Sequence, residues 1–520
     1  MQIENEVKKL IADIGASKMS PAAYDTAWVA QTMELDKEMG EHALEWLRAN
    51  QLPAGCWGTE SIHYNHDRTV CTLAAMIALK KWGNEKDQQR VNLAKIGLDS
   101  AIGSLSSDVA GATVGFEMLI PLLVETAYEL GAIQRKGDKG LILARSAEQS
   151  FGERETRQRR GDITFDQLKQ GKKQKLASLP DGMINRYVTI AFSSEMVGAD
   201  GINLLDVDNL LELDGSVGGS PSATAFYALN VNPGDPKALA YLRKVAEKND
   251  LFNGGGGIPE VAPFDTYEIG WALWNLSLIE DRSSFEDACK PHLDFLKNDW
   301  KLGRGISFAQ DYALVDGDNT SVIFETLHRF GQPVDLETLL SYERDDHFCC
   351  YDPESTPSLG VNVHVLSALR EAGLEREHPS VEKVINFVRS KRILNTFWAD
   401  KWHASPYYAT AHTIIAAAGF ANDLVENAVR WIIETQRENG SWGYYKETAE
   451  ETAYCLQALL IWKRNGRDVP KEIIQRGLAW LEEHRQPPYP PLWICKALYN
   501  PELIVQSAVL SALMLGKEIQ

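Results

Sequence analysis

Several stretches of this chain are apolar nearly all round rather than on one face. DRTVCTLAAMIAL from Asp67, SPSATAFYAL from Ser220, DTYEIGWALWNL from Asp265, DNTSVIFETL from Asp318, GVNVHVLSAL from Gly360, TAHTIIAAA from Thr410 and ETAYCLQAL from Glu451 each follow a turn rich in Gly, Pro, Ser or Asp. From Ser220 onward their starts lie about 41 to 53 residues apart, room for two helices and two connections per unit. A helix that is apolar all round must be buried on both sides, so its partner in the unit is expected to face solvent. Concentric helices in an α/α barrel meet that demand. Alternating patterns bounded by hairpin turns are scarce, which leaves little to read as strand. The fold class is therefore all-α, and 520 residues predict two domains.

Two units carry a longer signature, QLPAGCWG from Gln51 and TQRENGSWG from Thr435, with Gln, Gly and Trp at the same spacing. Trp57 and Trp442 are expected to pack over a tight Gly turn while Gln51 and Gln436 bond helix-end backbone groups, a structural clamp between neighbouring hairpins.

Hydrophobic residues at 44% and charged residues at 24% are ordinary globular values. A net charge of −19 disfavours nucleic acid and anionic lipid as partners. Basic residues concentrate from Arg154 to Lys175, either a solvated face or a rim that attracts a phosphorylated substrate. Seven cysteines without regular spacing read as reduced thiols. The N-terminus lacks the pattern of a signal peptide, and no apolar run reaches the roughly 18 residues of a membrane span. A cytoplasmic enzyme is expected.

The Gln/Trp turns together with DGDNTSVIFETL resemble the terpene cyclases that start by protonation, which include class II diterpene cyclases and squalene-hopene cyclases. AYDTAWVA at Ala23, TVGFEMLIPLLVE at Thr113, DGSVGGSPSATAFYAL at Asp214, DKWHASPYYATAH at Asp400, AEETAYCLQAL at Ala449 and PPYPPLWICKALY at Pro487 extend the likeness over most of the chain. It is strongest to bacterial halimadienyl (tuberculosinyl) and kolavenyl diphosphate synthases. The resemblance implies two α/α-barrel domains, termed β (residues 1–24 and 266–520) and γ (residues 25–265, inserted), with the active site between them. It also implies geranylgeranyl diphosphate as substrate, a bicyclic product that keeps its diphosphate, Mg²⁺ as cofactor, and a class I terpene synthase or a phosphatase acting downstream.

The family's protonating motif is DxDD; here it reads Asp316-Gly317-Asp318-Asn319, which carries the donor role to Asp318. Protonating an alkene needs a carboxyl that is neutral yet strongly acidic, a state that burial and hydrogen bonds to the emerging carboxylate create together. Asn319 departs from the pattern and can donate through its amide without adding charge. Asp316 is then the hydrogen-bonding neighbour, because two close carboxyls rarely ionise together. In isolation the same residues read as an ordinary N-cap. Asp206-Val207-Asp208-Asn209 has the same form without the buried helix behind it.

Tyr267, Trp271, Trp402 and Tyr408 are the candidate aromatic wall for a carbocation, with core packing as the alternative for each. Asn253 matches an Asn that holds the quenching water in plant relatives, although a glycine-rich turn explains it too. Arg68, Arg186 and Lys401 are candidate diphosphate contacts, and Asp108 and Glu117 candidate metal ligands; salt bridges account for all five equally. Asp345-Asp346 is followed by HFCC and forms no DDxxD, so removal of the diphosphate is not expected. Copalyl, drimenyl and squalene-hopene cyclisations are the alternatives within the family. Outside it stand an α/α-barrel glycosidase with two separated carboxylates, a protein prenyltransferase subunit with an Asp/Cys/His zinc site, and a non-catalytic helical scaffold.

Overall fold

The small residues that make the repeated segments apolar all round also let them pack as direct neighbours. In the computed structural model, which describes residues 2–134, 142–144, 163–252, 254–354 and 356–519, six helices form a closed ring. They are Asp265–Ser277, Gly317–Arg329, Leu359–Glu371, Pro406–Ala417, Ala449–Arg464 and Glu502–Ile519, and the last packs back against the first. Every residue of Pro406–Ala417 is buried. Gly270 shows why small residues matter, since a Cβ there would meet Ile323 Cγ1 at 2.6 Å.

Outside the ring lie Gln2–Asp13, Glu286–Asp299, Leu336–Leu340, Pro379–Ser390, Asn422–Glu434 and Lys471–Glu483. These are amphipathic: Asn422–Glu434 buries Leu424, Val425, Ala428, Val429 and Ile432, a stripe at helical spacing.

A second barrel places Ala23–Ala30, Asn65–Trp82, Phe116–Glu129 and Pro221–Phe226 inside, with Lys37–Ala49, Glu85–Ile102, Phe165–Ala177 and Pro236–Leu251 around them. Its inner ring is completed by Thr189–Val197, a run of 3₁₀ turns broken at Ser193. The two cores are distinct. One draws on residues 3–14 and 269–515, the other on residues 22–258 plus Ala497.

The Gln/Trp turns act as clamps. Trp57 Nε1 donates to Leu47 O at 2.7 Å and Trp442 Nε1 to Ile432 O at 2.7 Å. Gln51 Nε2 donates to Gly55 O and Arg90 O, and Gln436 Nε2 to Gly440 O and Ile473 O, so each side chain ties its turn to the neighbouring outer helix. Gly55 and Gly440 have φ of +90° and +94°, and a Cβ on either would strike a backbone oxygen at 2.5 Å. Trp398, with no matching Gln, makes the same bond to Val388 O at 2.8 Å.

The expectation of almost no strand is met except for two short antiparallel pairs, Ile142–Ala144 with Ile163–Thr164 and Trp493–Ile494 with Leu498–Tyr499. No described helix is long and apolar enough to cross a membrane.

Candidate active site

Asp316 caps the helix Gly317–Arg329, where its side chain can accept the orphan donors of the first turn. Its Oδ1 accepts from Asn319 N at 2.7 Å, and its Oδ2 accepts from Asn319 Nδ2 at 2.9 Å. Asn at the fourth position therefore pins the cap with both its backbone and its side-chain amide. Burial pushes the Asp316 carboxyl up to about 7, helped by the charge of Asp318 and opposed by the two Asn319 bonds.

Asp318 lines a cavity of about 220 Å³ between the two barrels, and its side chain is 19% exposed. Its Oδ1 lies 2.6 Å from His364 Nδ1, and His364 Nε2 lies 3.1 Å from His412 Nδ1. Both histidines are buried on neighbouring inner helices, Leu359–Glu371 and Pro406–Ala417. Burial, followed by the nearby His364 and His403, drives His412 well below the usual imidazole range, so it stays neutral.

Nearly half of the residues that line the cavity are aromatic. Trp271 meets His364 edge to face with centroids 4.8 Å apart, and Tyr408 lies nearly parallel to Trp271 at 6.4 Å. Tyr267 packs on Trp271 at 5.5 Å, and Trp402 also faces the cavity. Such a wall excludes water and offers π faces to a positive charge, whereas lone pairs would trap it.

The hairpin Trp493–Ile494/Leu498–Tyr499 crosses from the first barrel into the second and adds Trp493, Ile494, Cys495 and Tyr499 to the wall. Buried carboxylates of the second barrel hold it. Glu260 Oε1 accepts from Ala497 N at 2.6 Å and Asp67 Oδ1 from Leu498 N at 2.9 Å. Lys496 is fully buried with its Nζ 2.6 Å from Glu195 Oε1. A lone buried ammonium would be very costly, and this pairing fixes where the hairpin enters.

Seven residues singled out in the sequence meet at this cavity: Asp316, Asp318, Asn319, Tyr267, Trp271, Trp402 and Tyr408. The remaining candidates lie elsewhere. Arg68 donates to Ile62 O, Arg186 to Leu211 O, and Lys401 to Thr356 O while sitting over the Trp402 ring at 5.0 Å. Asp108 accepts from Asn65 and His66, and Glu117 pairs with Lys175. No group of three or more His, Cys, Asp or Glu is placed to hold a metal among the described residues. Asn253 lies outside the described residues, as does much of the basic stretch from Arg154.

His364, His412 and the hairpin aromatics escaped the sequence reading. A histidine inside each of two apolar repeat helices, GVNVHVLSAL and TAHTIIAAA, was the available signal, because a buried imidazole needs a partner. The third carboxylate on the wall, Asp400, is occupied by Ser358 Oγ, Gly360 N and Trp402 N, which leaves no opposed pair of free carboxylates for glycoside hydrolysis.

Comparison with known proteins agrees with this geometry. Residues 344–489 match the squalene-hopene cyclase C-terminal domain. A type B diterpene cyclase of Mycobacterium tuberculosis is 41% identical over 96% of each chain. A (+)-kolavenyl diphosphate synthase of Herpetosiphon aurantiacus is 28% identical over 98% of this chain and 94% of its own. The solved ent-copalyl diphosphate synthase of Streptomyces platensis superposes with a TM-score of 0.78 at 27% identity, covering 99% of this chain and all of its own. With a carboxyl at the head of an aromatic inter-barrel cavity and a relative 41% identical over 96% of each chain, this chain belongs to the type B, or class II, diterpene cyclases, the isomerase-type terpene cyclases.

Proposed function

We propose that the enzyme converts geranylgeranyl diphosphate into a bicyclic diterpenyl diphosphate of the halimadienyl or kolavenyl type, with Asp318 as the proton donor. The observation that carries this reading is the 2.6 Å contact between Asp318 Oδ1 and His364 Nδ1 at the aromatic end of the cavity. An N–H aimed at the carboxyl stabilises the carboxylate that forms when the proton leaves, which strengthens the acid without charging it beforehand.

Proton addition to the terminal alkene leaves a tertiary cation, and the remaining double bonds attack it in turn to close two rings. Trp271, Tyr267, Tyr408 and Trp402 face that charge while it migrates, and loss of a different proton discharges the cation and returns an isomer of the substrate. The diphosphate takes no part in bond breaking. Asp345 and Asp346 are both on the surface, with Asp346 bound to His347, and they offer no site for ionising it.

Mg²⁺ enters this reading with the substrate, as a hard cation on phosphate oxygens, since Asp108 and Glu117 are otherwise engaged. The reading places the enzyme in the cytoplasm, with a class I synthase or a phosphatase taking the product. The rearranged skeleton is preferred to copalyl or drimenyl on the motif resemblance to halimadienyl and kolavenyl diphosphate synthases alone, since copalyl and kolavenyl diphosphate synthases are similar to this chain at the same identity. The test is incubation with geranylgeranyl diphosphate and Mg²⁺, dephosphorylation, and gas chromatography with mass spectrometry. A bicyclic C20 alcohol with a halimadane or clerodane skeleton is expected; a labdane would reassign the product, and unchanged geranylgeraniol would refute the substrate.

A further inference from the structure

The acid's partner is not the end of its chain. His364 reaches Asp318 with one ring nitrogen and His412 with the other, and His412 Nε2 is buried with no hydrogen-bond partner among the described residues. His412 is enclosed by rings: Trp274 stacks on it at 4.8 Å, Tyr408 lies 4.4 Å away and Tyr454 5.2 Å away. A neutral imidazole carries one ring proton, and here its two possible positions have different consequences for Asp318.

With the proton on His412 Nε2, a buried N–H has no acceptor, and His412 Nδ1 must take a hydrogen from His364 Nε2. A neutral His364 then presents a bare Nδ1 to Asp318 and captures the acid's proton on Oδ1, in the hydrogen bond between them. With the proton on His412 Nδ1, His364 Nε2 accepts it and the proton of His364 moves to Nδ1, where it is donated to Asp318 Oδ1. The transferable proton of Asp318 then sits on Oδ2. Buried N–H groups without a partner are rarer than under-used acceptors, so the second arrangement is the favoured one.

We propose that His412 is a positioning residue that fixes the tautomer of His364 and thereby keeps the transferable proton of Asp318 on Oδ2, the oxygen that His364 does not hold. The proposal rests on Asp318 being the donor. His412 touches no substrate; it acts through His364.

Two measurements test it. In the parent protein labelled with ¹⁵N-histidine, NMR should find the ring proton of His412 on Nδ1; a proton on Nε2 overturns the proposal, and this readout needs no variant to fold. In kinetics, His412→Phe keeps an aromatic ring and removes the donor, and kcat should fall about tenfold or more, the loss of one buried hydrogen bond, while KM stays within about twofold. His412→Asn, whose amide N–H stands where Nδ1–H was, should recover most of that loss. Equal activity of the two variants, or a change confined to KM, would show His412 to be packing alone. Asp318→Asn run beside them separates the failures: if it stays active, the reading of Asp318 has failed, whereas an inactive Asp318→Asn with a parental His412→Phe sinks only the histidine proposal.

Discussion

The chain spells Asp-x-Asp-Asn twice, and in both copies the Asn amide reaches back to the first Asp at 2.9 Å, Asn319 to Asp316 and Asn209 to Asp206. Beyond that bond the two sites differ in everything. Val207–Asn209 is a single 3₁₀ turn whose Asp208 and Asn209 are exposed to water. Asp318 stands at the head of a buried helix, faces an aromatic cavity and holds a histidine. The tetrapeptide determines a local hydrogen bond. The barrel behind it determines whether the middle carboxyl does chemistry.

The largest effect should come from the middle residue. Asp318→Asn is expected to lower kcat by about 10²- to 10⁴-fold, the range for loss of a general acid, whereas Asp208→Asn stays within about twofold in the same assay. Loss of both would mean that the surface copy contributes to activity after all. Next comes the partner that only the buried copy has. His364→Phe removes a hydrogen bond to a developing charge and should cost about 10- to 150-fold in kcat with little change in KM. A smaller loss, about 2- to 30-fold, is expected for Trp271→Phe, which keeps a ring with a weaker π face; an unchanged rate would remove Trp271 from the cation's wall.

The smallest effect concerns stability. The Asp316 carboxyl is raised from 3.8 to about 7 in the folded protein, so the fold favours its protonated form. Its contribution is fully present below about 3.8 and is lost as pH rises through about 7. Asp316→Asn keeps the cap without the ionisation, and its Tm should fall less than that of the parent across this window. Asp206→Asn should follow the parent curve, and matching slopes for parent and Asp316→Asn would deny that Asp316 titrates in the fold.

The barrel was legible in the sequence because its helices repeat one pattern, small and apolar all round, and because Trp57 and Trp442 mark equivalent turns. Thr189–Val197 and the hairpin at Trp493 were not, since neither has a period to find; long-range partners such as Glu195 with Lys496 hold them. At the site, Asp318 and its aromatic neighbours followed from motif and chemistry. His364 is 46 residues from Asp318, one repeat further along the chain, and packing of the two neighbouring inner helices brings them together. The charged candidates failed to converge for a related reason: Asp108 and Glu117 are engaged by His66 and Lys175, neighbours that no spacing reveals.

The central claim is that catalysis begins with a proton from Asp318, which exchanges with water. The direct measurement is to run the reaction with geranylgeranyl diphosphate in D₂O and weigh the dephosphorylated product. The account predicts a bicyclic alcohol one mass unit heavier than in H₂O, with the deuterium on the ring carbon that was the terminal alkene, and no such product from Asp318→Asn. A cyclic product without deuterium, or a deuterated one from Asp318→Asn, would contradict it.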